Sequence, residues 1–198
     1  MAHEGPLANL FAIQSVGESL RLYLQASYPD ALRTLHPCTF RVISSGQLAN
    51  FEDPSGSDVA VTLYLYRVTH SEHARLIRPG ISPPDGVVSL ELHWMVSVWS
   101  SSAMAEHAVF AWVLRQLHVM PLLDGALLTT QGGWGAGEAV QLLPVELPIE
   151  TLMRIWDALD PSYRISACYV ARVVKVGDAS SDPPPVVATR MTLSGDGT

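Results

Sequence analysis

The segment from residue 87 to residue 123 constrains the fold most strongly, because it alternates first with the period of a strand and then with that of a helix. Strand side chains point alternately to opposite faces, so the alternation between Val87 and Trp99 predicts a long strand with one apolar wall. That wall comprises Leu90, Leu92, Trp94, Val96 and Val98. The opposite face is predicted to be amphipathic or only partly buried, and carries Ser89, Glu91, His93 and Ser97.

A helix is predicted directly after this strand. Three serines at 100–102 break the alternation and offer hydroxyl groups that can cap a helix. From Ala103 to Met120 the apolar residues recur with helical spacing, and Pro121 ends the helix because proline lacks the amide that continuation requires. The predicted buried stripe is Phe110, Val113, Leu114, Leu117 and Met120.

The remaining segments supply further elements for the same core. Helices are predicted over 7–27 and 149–159, and the main strands over 58–69, 87–99 and 164–176. Shorter strands are predicted over 38–44 and 139–147, while residues 45–56 have the composition of turns. The predicted fold class is therefore α+β, a mixed and mainly antiparallel sheet flanked by about three helices, with Trp94, Leu117 and Trp156 mostly buried.

The chain is predicted to contain one domain with a terminal extension at each end. Residues 1–6 form a flexible N-terminus, 7–176 the α+β domain, and 177–198 a proline-rich linker with an extended C-terminal arm. Three consecutive prolines at 183–185 favour a semi-rigid spacer, and the alternation from Val186 to Leu193 has strand character.

Two segments are predicted to contact partners. The first, residues 70–86, is rich in proline and longer than most loops of compact domains, which suggests a functional role. The second is the C-terminal arm, whose strand-like residues could extend the exposed edge of another sheet. The candidate interface residues are Arg75, Arg78, Val187, Thr189, Arg190, Met191 and Leu193.

Composition narrows the class of protein. Hydrophobic residues make up 48% of the chain and charged residues 16%, which permits a sizeable core and excludes bulk disorder. The net charge of −7 argues against a nucleic-acid-binding platform, which needs a basic face. Of the two cysteines, Cys168 is expected to be a buried free thiol. No secretory signal or membrane-spanning run is recognised, so we expect a soluble cytoplasmic protein.

No motif predicts catalysis, a cofactor or a metal. Glu91 and His93 share a strand face, but the chain has neither His-Glu-x-x-His nor Cys-x-x-Cys. The glycine-rich run at 131–137 lacks the lysine and hydroxyl that follow the last glycine of a phosphate-binding loop. Glu138 follows instead, so the run is predicted to be a flexible loop with Trp134 as its packing anchor.

Several stretches of the chain, taken together and in order, point to one protein family more specifically than any single stretch does. The most specific of them are the Glu-Leu-His-Trp strand and the helix that precedes a Tyr-Arg-x-Ser strand. The set comprises Ile13–Leu20, Phe40–Ser44, Val61–Val68, Leu90–Val96, Glu106-His107, Leu114–His118, Glu150–Leu159 and Tyr163–Val174. It resembles the N-terminal domain of the tail-terminator, or cap, proteins of extracellular contractile injection systems. That family includes the antifeeding-prophage and Photorhabdus-virulence-cassette particles. The resemblance covers about residues 7–176, and members often continue into a further domain, whereas a short tail follows Gly177 here.

The resemblance implies a structural, non-enzymatic role. Such caps form a ring, expected to be six-fold, on the distal end of the inner tube and the last sheath layer, which stops polymerisation and stabilises the extended sheath. The implied partners are other copies of the chain, the tube protein and the sheath protein, with no nucleic acid, membrane or cofactor. The implied location is the bacterial cytoplasm during assembly and then a phage tail-like particle.

Two alternatives remain open. One is another contractile-tail component, such as a phage-type tube-end adaptor, which would have the same cohesive, weakly charged composition. The other is a small-molecule-binding or hydrolytic enzyme that uses Glu91, His93 and the glycine-rich loop.

Overall fold

The computed structural model describes residues 8–56, 58–71, 87–159 and 161–177. These residues form five α-helices and six β-strands. The helices are α1 (Ala12–Ser27), α2 (Asp30–Leu35), α3 (Ser45–Ala49), α4 (Ala103–Val119) and α5 (Ile149–Asp157). The strands are β1 (Cys38–Ile43), β2 (Val59–His70), β3 (Val88–Trp99), β4 (Leu122–Leu123), β5 (Val140–Val145) and β6 (Ser166–Val176).

All six strands belong to one sheet with the order β1-β2-β3-β6-β5-β4. The pair β1 and β2 is parallel, and the other neighbouring pairs are antiparallel. The predicted α+β class with a mixed, mainly antiparallel sheet is confirmed. The described helices number five rather than three because α2 and α3 were not recognised from the sequence. α3 begins within a segment predicted as turn, where Ser44 and Gln47 form a reciprocal capping box that satisfies the first helical amides.

One face of the sheet carries the larger core, covered by α1 and α4. The apolar wall predicted for β3 faces this core, together with Val61 and Leu63 of β2 and the buried stripe of α1. α4 starts after Ser102, whose hydroxyl accepts a hydrogen bond from the Ala105 amide, so the predicted serine cap is confirmed. Leu117 and Trp94 are buried as predicted, whereas Phe110 and Leu114 are half-buried. The buried stripe of α4 instead comprises Ala105, Val109, Trp112, Val113 and Leu117.

The second face of the sheet is covered along the second half of β3, which corrects the prediction there. Ser89, Glu91 and His93, in the first half, are half-buried as predicted. Met95 and Trp99 are fully buried in the second half, and Ser97 has 1% of its surface exposed. This smaller core is closed by α3 and α5 and by the loop around Phe51, and its members include Leu48, Ala60, Leu152, Trp156 and Cys168. Trp156 and Cys168 are buried as predicted. The alternation could not reveal this core, because short polar residues such as Ser97 are compatible with either a solvated or a buried face.

Helix α1 starts later than predicted. The expected helix over 7–27 begins at Ala12, and Leu10, which precedes it, is 81% exposed. Asn9 prevents an earlier start, because its side-chain oxygen accepts a hydrogen bond from the Phe11 backbone amide and its backbone amide donates to the Gly132 carbonyl. Local hydrogen bonds of an asparagine thus compete with the helix.

The alternation of side chains along β6 changes phase near Arg172. Leu90 and Leu92 of β3 are two residues apart, whereas their partners Val174 and Ala171 are three apart, so β6 carries one extra residue at this point. Val174 consequently faces the same core as Ala171, although strict alternation would place them on opposite faces. A single extra residue reverses the faces of everything beyond it.

Candidate functional site

The candidate pair Glu91 and His93 lies on β3 beside the end of β2. His93 Nε2 lies 3.1 Å from the Thr69 hydroxyl, and the Ser71 hydroxyl donates to Glu91 Oε1 at 3.2 Å. The Tyr66 ring lies beside the imidazole, with 5.9 Å between the ring centroids. Both candidate side chains are therefore engaged in contacts with the neighbouring strand or the residue that follows it. These contacts stabilise strand pairing.

The surroundings of His93 favour a neutral imidazole. Burial lowers its pKa most, the nearby Arg67 lowers it further, and Glu91 acts in the opposite direction. Within the described ranges, no group of three or more histidine, cysteine, aspartate or glutamate side chains could hold a metal ion. Among the described residues, Glu91 and His93 therefore have no converging third ligand of the kind that a zinc site requires.

The glycine-rich segment packs against the first turns of α1. Trp134 Nε1 donates to the Ser15 hydroxyl at 2.9 Å, and the same hydroxyl contacts Thr129. A Cβ on Gly132 would lie 2.2 Å from Trp134 Nε1, so the close approach of the indole requires a glycine. At the other end of the run, the Gly135 amide donates to Glu138 Oε2 at 2.7 Å. The predicted role of Trp134 as a packing anchor is confirmed.

Replacing Gly132 with alanine should therefore destabilise the protein by about 1–3 kcal/mol, because the added methyl group crowds the indole and the Ser15 hydroxyl. The measurement is urea unfolding followed by circular dichroism. Gly125→Ala is the matched control, since an added Cβ there meets nothing within 4 Å. Equal effects of the two substitutions would contradict the packing role of the glycine-rich segment.

Both cysteines are poor nucleophiles. Burial raises the pKa of the Cys38 thiol to about 12 and that of Cys168 to about 11. Because the thiolate is the reactive form, neither position has the lowered pKa that characterises a catalytic cysteine. The alternative of an enzyme therefore gains no support from the thiols.

The predicted partner-contacting residues lie outside the described part of the chain. They are Arg75, Arg78, Val187, Thr189, Arg190, Met191 and Leu193. Their contacts remain predictions. The division of the chain at residues 6 and 177 also remains a prediction, since the described residues begin at 8 and end at 177.

The described surface has an open groove that sequence reasoning missed. It has a volume of about 610 Å³ and crosses the edge of the sheet where β5 ends. Phe110 and Leu114 of α4 form one wall, and Leu147 and Leu152 form the other. We call this feature the edge groove; its remaining lining residues are Pro144, Val145, Glu146, Ser166, Ala167, Cys168 and Tyr169.

A second groove, of about 670 Å³, lies at the opposite edge of the sheet beside β1. It is lined by residues from the end of α1 through β1, namely Leu22, Gln25, Ala26, Tyr28, Arg33, Cys38, Thr39 and Phe40. The Tyr28 side chain is held in this lining by a hydrogen bond from its hydroxyl to the His36 carbonyl. Neither groove is lined by the paired acid and base of a hydrolytic site. Each groove lies beside a strand to which a further strand could be added.

Comparison with known proteins finds a matching family and solved structures of similar fold. The model of the Pvc16 N-terminal domain matches residues 15–189. A solved sheath/tube terminator of the PVC extracellular contractile injection system, in its extended state, is similar with a TM-score of 0.58 and 19% identity. The tube-terminating cap of the anti-feeding prophage is similar with a TM-score of 0.51 and 17% identity. Both structures were determined by cryo-electron microscopy.

These similarities extend along nearly the whole chain. They cover 94% and 96% of it, and 64% and 62% of the terminator and the cap, so the chain spans less than two thirds of either solved protein. By sequence it matches none of the curated proteins. Among the described residues, no helix has the length and apolar character needed to cross a membrane. The family model accounts for most of the chain, and this protein belongs to the Pvc16 N-terminal domain family.

Proposed function

We propose that this chain is a structural cap that ends the growth of the inner tube and sheath in a contractile injection particle. The observation that carries the proposal is the match of the Pvc16 N-terminal domain over residues 15–189, together with a fold similar to a sheath/tube terminator and a tube-terminating cap. The cap is a ring of identical copies, expected to be six-fold, that binds the terminal tube and sheath subunits. It joins the particle in the bacterial cytoplasm and needs no nucleic acid, membrane or cofactor.

The side-chain chemistry supports a structural role rather than catalysis. Glu91 and His93 have cross-strand hydroxyl partners, and the glycine-rich segment packs on Ser15. In the described ranges, polar side chains do not converge into a metal centre. A cap instead needs cohesive surfaces for its partners, and the open, largely apolar lining of the edge groove supports such a use.

The predicted interface residues act at these contacts. Arg75 and Arg78 contact acidic surfaces on a neighbour, and the strand-like segment with Val187, Thr189 and Met191 extends a neighbouring sheet. The segment also includes Arg190 and Leu193.

Capping can be measured on tubes and sheaths assembled without this protein. Adding the full chain should stop elongation and keep the sheath extended, as seen by electron microscopy of particle lengths and ends. A variant lacking residues 178–198 should keep its melting temperature but occupy fewer ends, because the arm that holds the neighbour has been removed. His93→Ala is the control: it should cap as well as the unmodified chain, whereas an enzymatic role would make it defective. Continued elongation in the presence of the folded full chain would overturn the proposal.

A further inference from the structure

The edge of β6 is only partly covered by a neighbouring strand. β5 pairs with β6 from Gln141 opposite Arg172 to Val145 opposite Cys168. Beyond that point Ser166 and Ala167 still pair with β3, but the described residues place no strand on their other side. An uncovered strand edge is a template for the backbone of another chain.

The edge groove makes this uncovered edge suitable for a partner with apolar side chains. Phe110 and Leu114 border it on the face of α4, and Leu152 borders it on the face of α5. A strand added here would therefore have apolar neighbours on both of its faces. Glu146 is the acidic residue of the lining, and its side chain is exposed.

The C-terminal segment Val186–Leu193 has the properties that this groove requires. Its sequence, Val-Val-Ala-Thr-Arg-Met-Thr-Leu, places apolar or β-branched residues on both faces of a strand. Arg190 is its one charged residue and is complementary to Glu146. The charge and the apolar pattern of the segment thus both match the groove.

The position of β5 favours a segment from another copy. The described residues end at Gly177, whose amide donates to the Ala8 carbonyl, and Ala167 lies about 33 Å away along the strand. β5 occupies the edge of β6 between Cys168 and Arg172, so a segment of the same chain would have to pass around β5 to reach Ser166 and Ala167. A segment from a neighbouring copy does not have to cross this strand.

We propose that the edge groove of one copy binds residues 186–193 of a neighbouring copy as an added strand beside Ser166 and Ala167. The inference rests on the self-association in the proposed function, but not on tube or sheath binding. Each copy would give its segment to one neighbour and receive the segment of the other. Such a heterologous contact can close into a ring.

A photo-crosslinking experiment with the full chain tests the proposal. Leu114, which lines the groove, is replaced with p-benzoylphenylalanine, and unlabelled and nitrogen-15-labelled copies are mixed. Mass spectrometry should find links from position 114 to residues 186–193 that join the two isotopes. The control places the same crosslinker at Ala111, an exposed residue of α4 outside the groove, and should give no such link. Links confined to one isotope, or no link to this segment either in solution or on capped particles, would overturn the proposal.

A charge exchange gives an independent readout. Glu146→Arg should weaken self-association about fivefold in sedimentation velocity, which corresponds to the loss of an exposed ion pair. Adding Arg190→Glu should restore it. A single variant that associates normally, or a double variant that is not restored, contradicts the assigned contact. If the protein caps particles but the crosslinks do not form, only the proposal about the edge groove is contradicted. If the crosslinks form but the protein does not cap particles, only the proposed function is contradicted.

Discussion

Replacing Trp94 with alanine should lower the free energy of unfolding by about 3–5 kcal/mol. The indole is 2% exposed in the larger core and packs directly against α1, where a Cβ added to Gly17 would lie 2.5 Å from its Cη2 atom. Truncation therefore removes the contact between β3 and α1 and leaves a cavity that the surrounding sheet cannot easily fill. Urea unfolding at equilibrium measures the change.

The effect should depend on the glycine opposite the indole. Gly17→Ala should cost about 1–3 kcal/mol in the unmodified protein, because the new methyl group overlaps a buried ring. With Trp94 already replaced by alanine, the same substitution should become neutral or stabilising, since alanine favours the helix by about 1 kcal/mol over glycine. Phe11→Ala, at a side chain that is 59% exposed, is the control for nonspecific effects. Additive costs for Gly17 and Trp94 would contradict this packing.

Replacing Trp156 with alanine should have a similar effect, about 3–5 kcal/mol, through the smaller core. Its ring is 2% exposed and lies 5.8 Å from the centroid of Trp99 and 6.0 Å from that of Tyr163. Without it α5 loses its main buried side chain, and the covered face of Met95 and Trp99 becomes accessible to water. Thermal unfolding followed by tryptophan fluorescence measures the loss.

Ile149→Ala is the matched control on the same helix, because Ile149 is 56% exposed and its truncation should change stability by less than about 0.5 kcal/mol. A cost below about 1 kcal/mol for Trp156→Ala would mean that α5 is not a structural cover of this face. The edge groove would then lose its second wall, since Leu152 belongs to α5.

Local patterns in the sequence were sufficient to predict the helices and strands whose apolar residues recur with a clear period. The strand predicted over 87–99 is Val88–Trp99 and has the predicted apolar wall, and the helix predicted from Ala103 to Met120 is Ala103–Val119 and has the predicted serine cap. Trp94, Leu117 and Trp156 were correctly predicted to be buried. In each case the signal lies within one element, because side-chain periodicity and capping depend on residues a few positions apart.

The errors occur where distant residues decide the outcome. The late start of α1 depends on Asn9 bonding to the Gly132 carbonyl, far away in the sequence. The sequence pattern of β3 indicates a partly polar second face, but Leu48 and Trp156, from two separate helices, cover this face in the folded protein. Val174 changes face because β6 carries an extra residue relative to its partner β3, which no single-strand pattern can reveal.

For the candidate surfaces, too, some features follow from neighbouring residues and others depend on residues far apart in the sequence. The sequence alone indicates that the chain has no metal-binding or phosphate-binding motif. It also indicates that residues 186–193 have strand character. Only the tertiary structure placed β5 beside β6 and ended it at Val145, so that no strand of the described residues pairs with the outer edge of Ser166 and Ala167. Strand order and register are set by the packing of the whole sheet, because a strand can pair with any edge until its side chains are fitted to a core. A groove between α4, α5 and β6 therefore has no signature in any one segment.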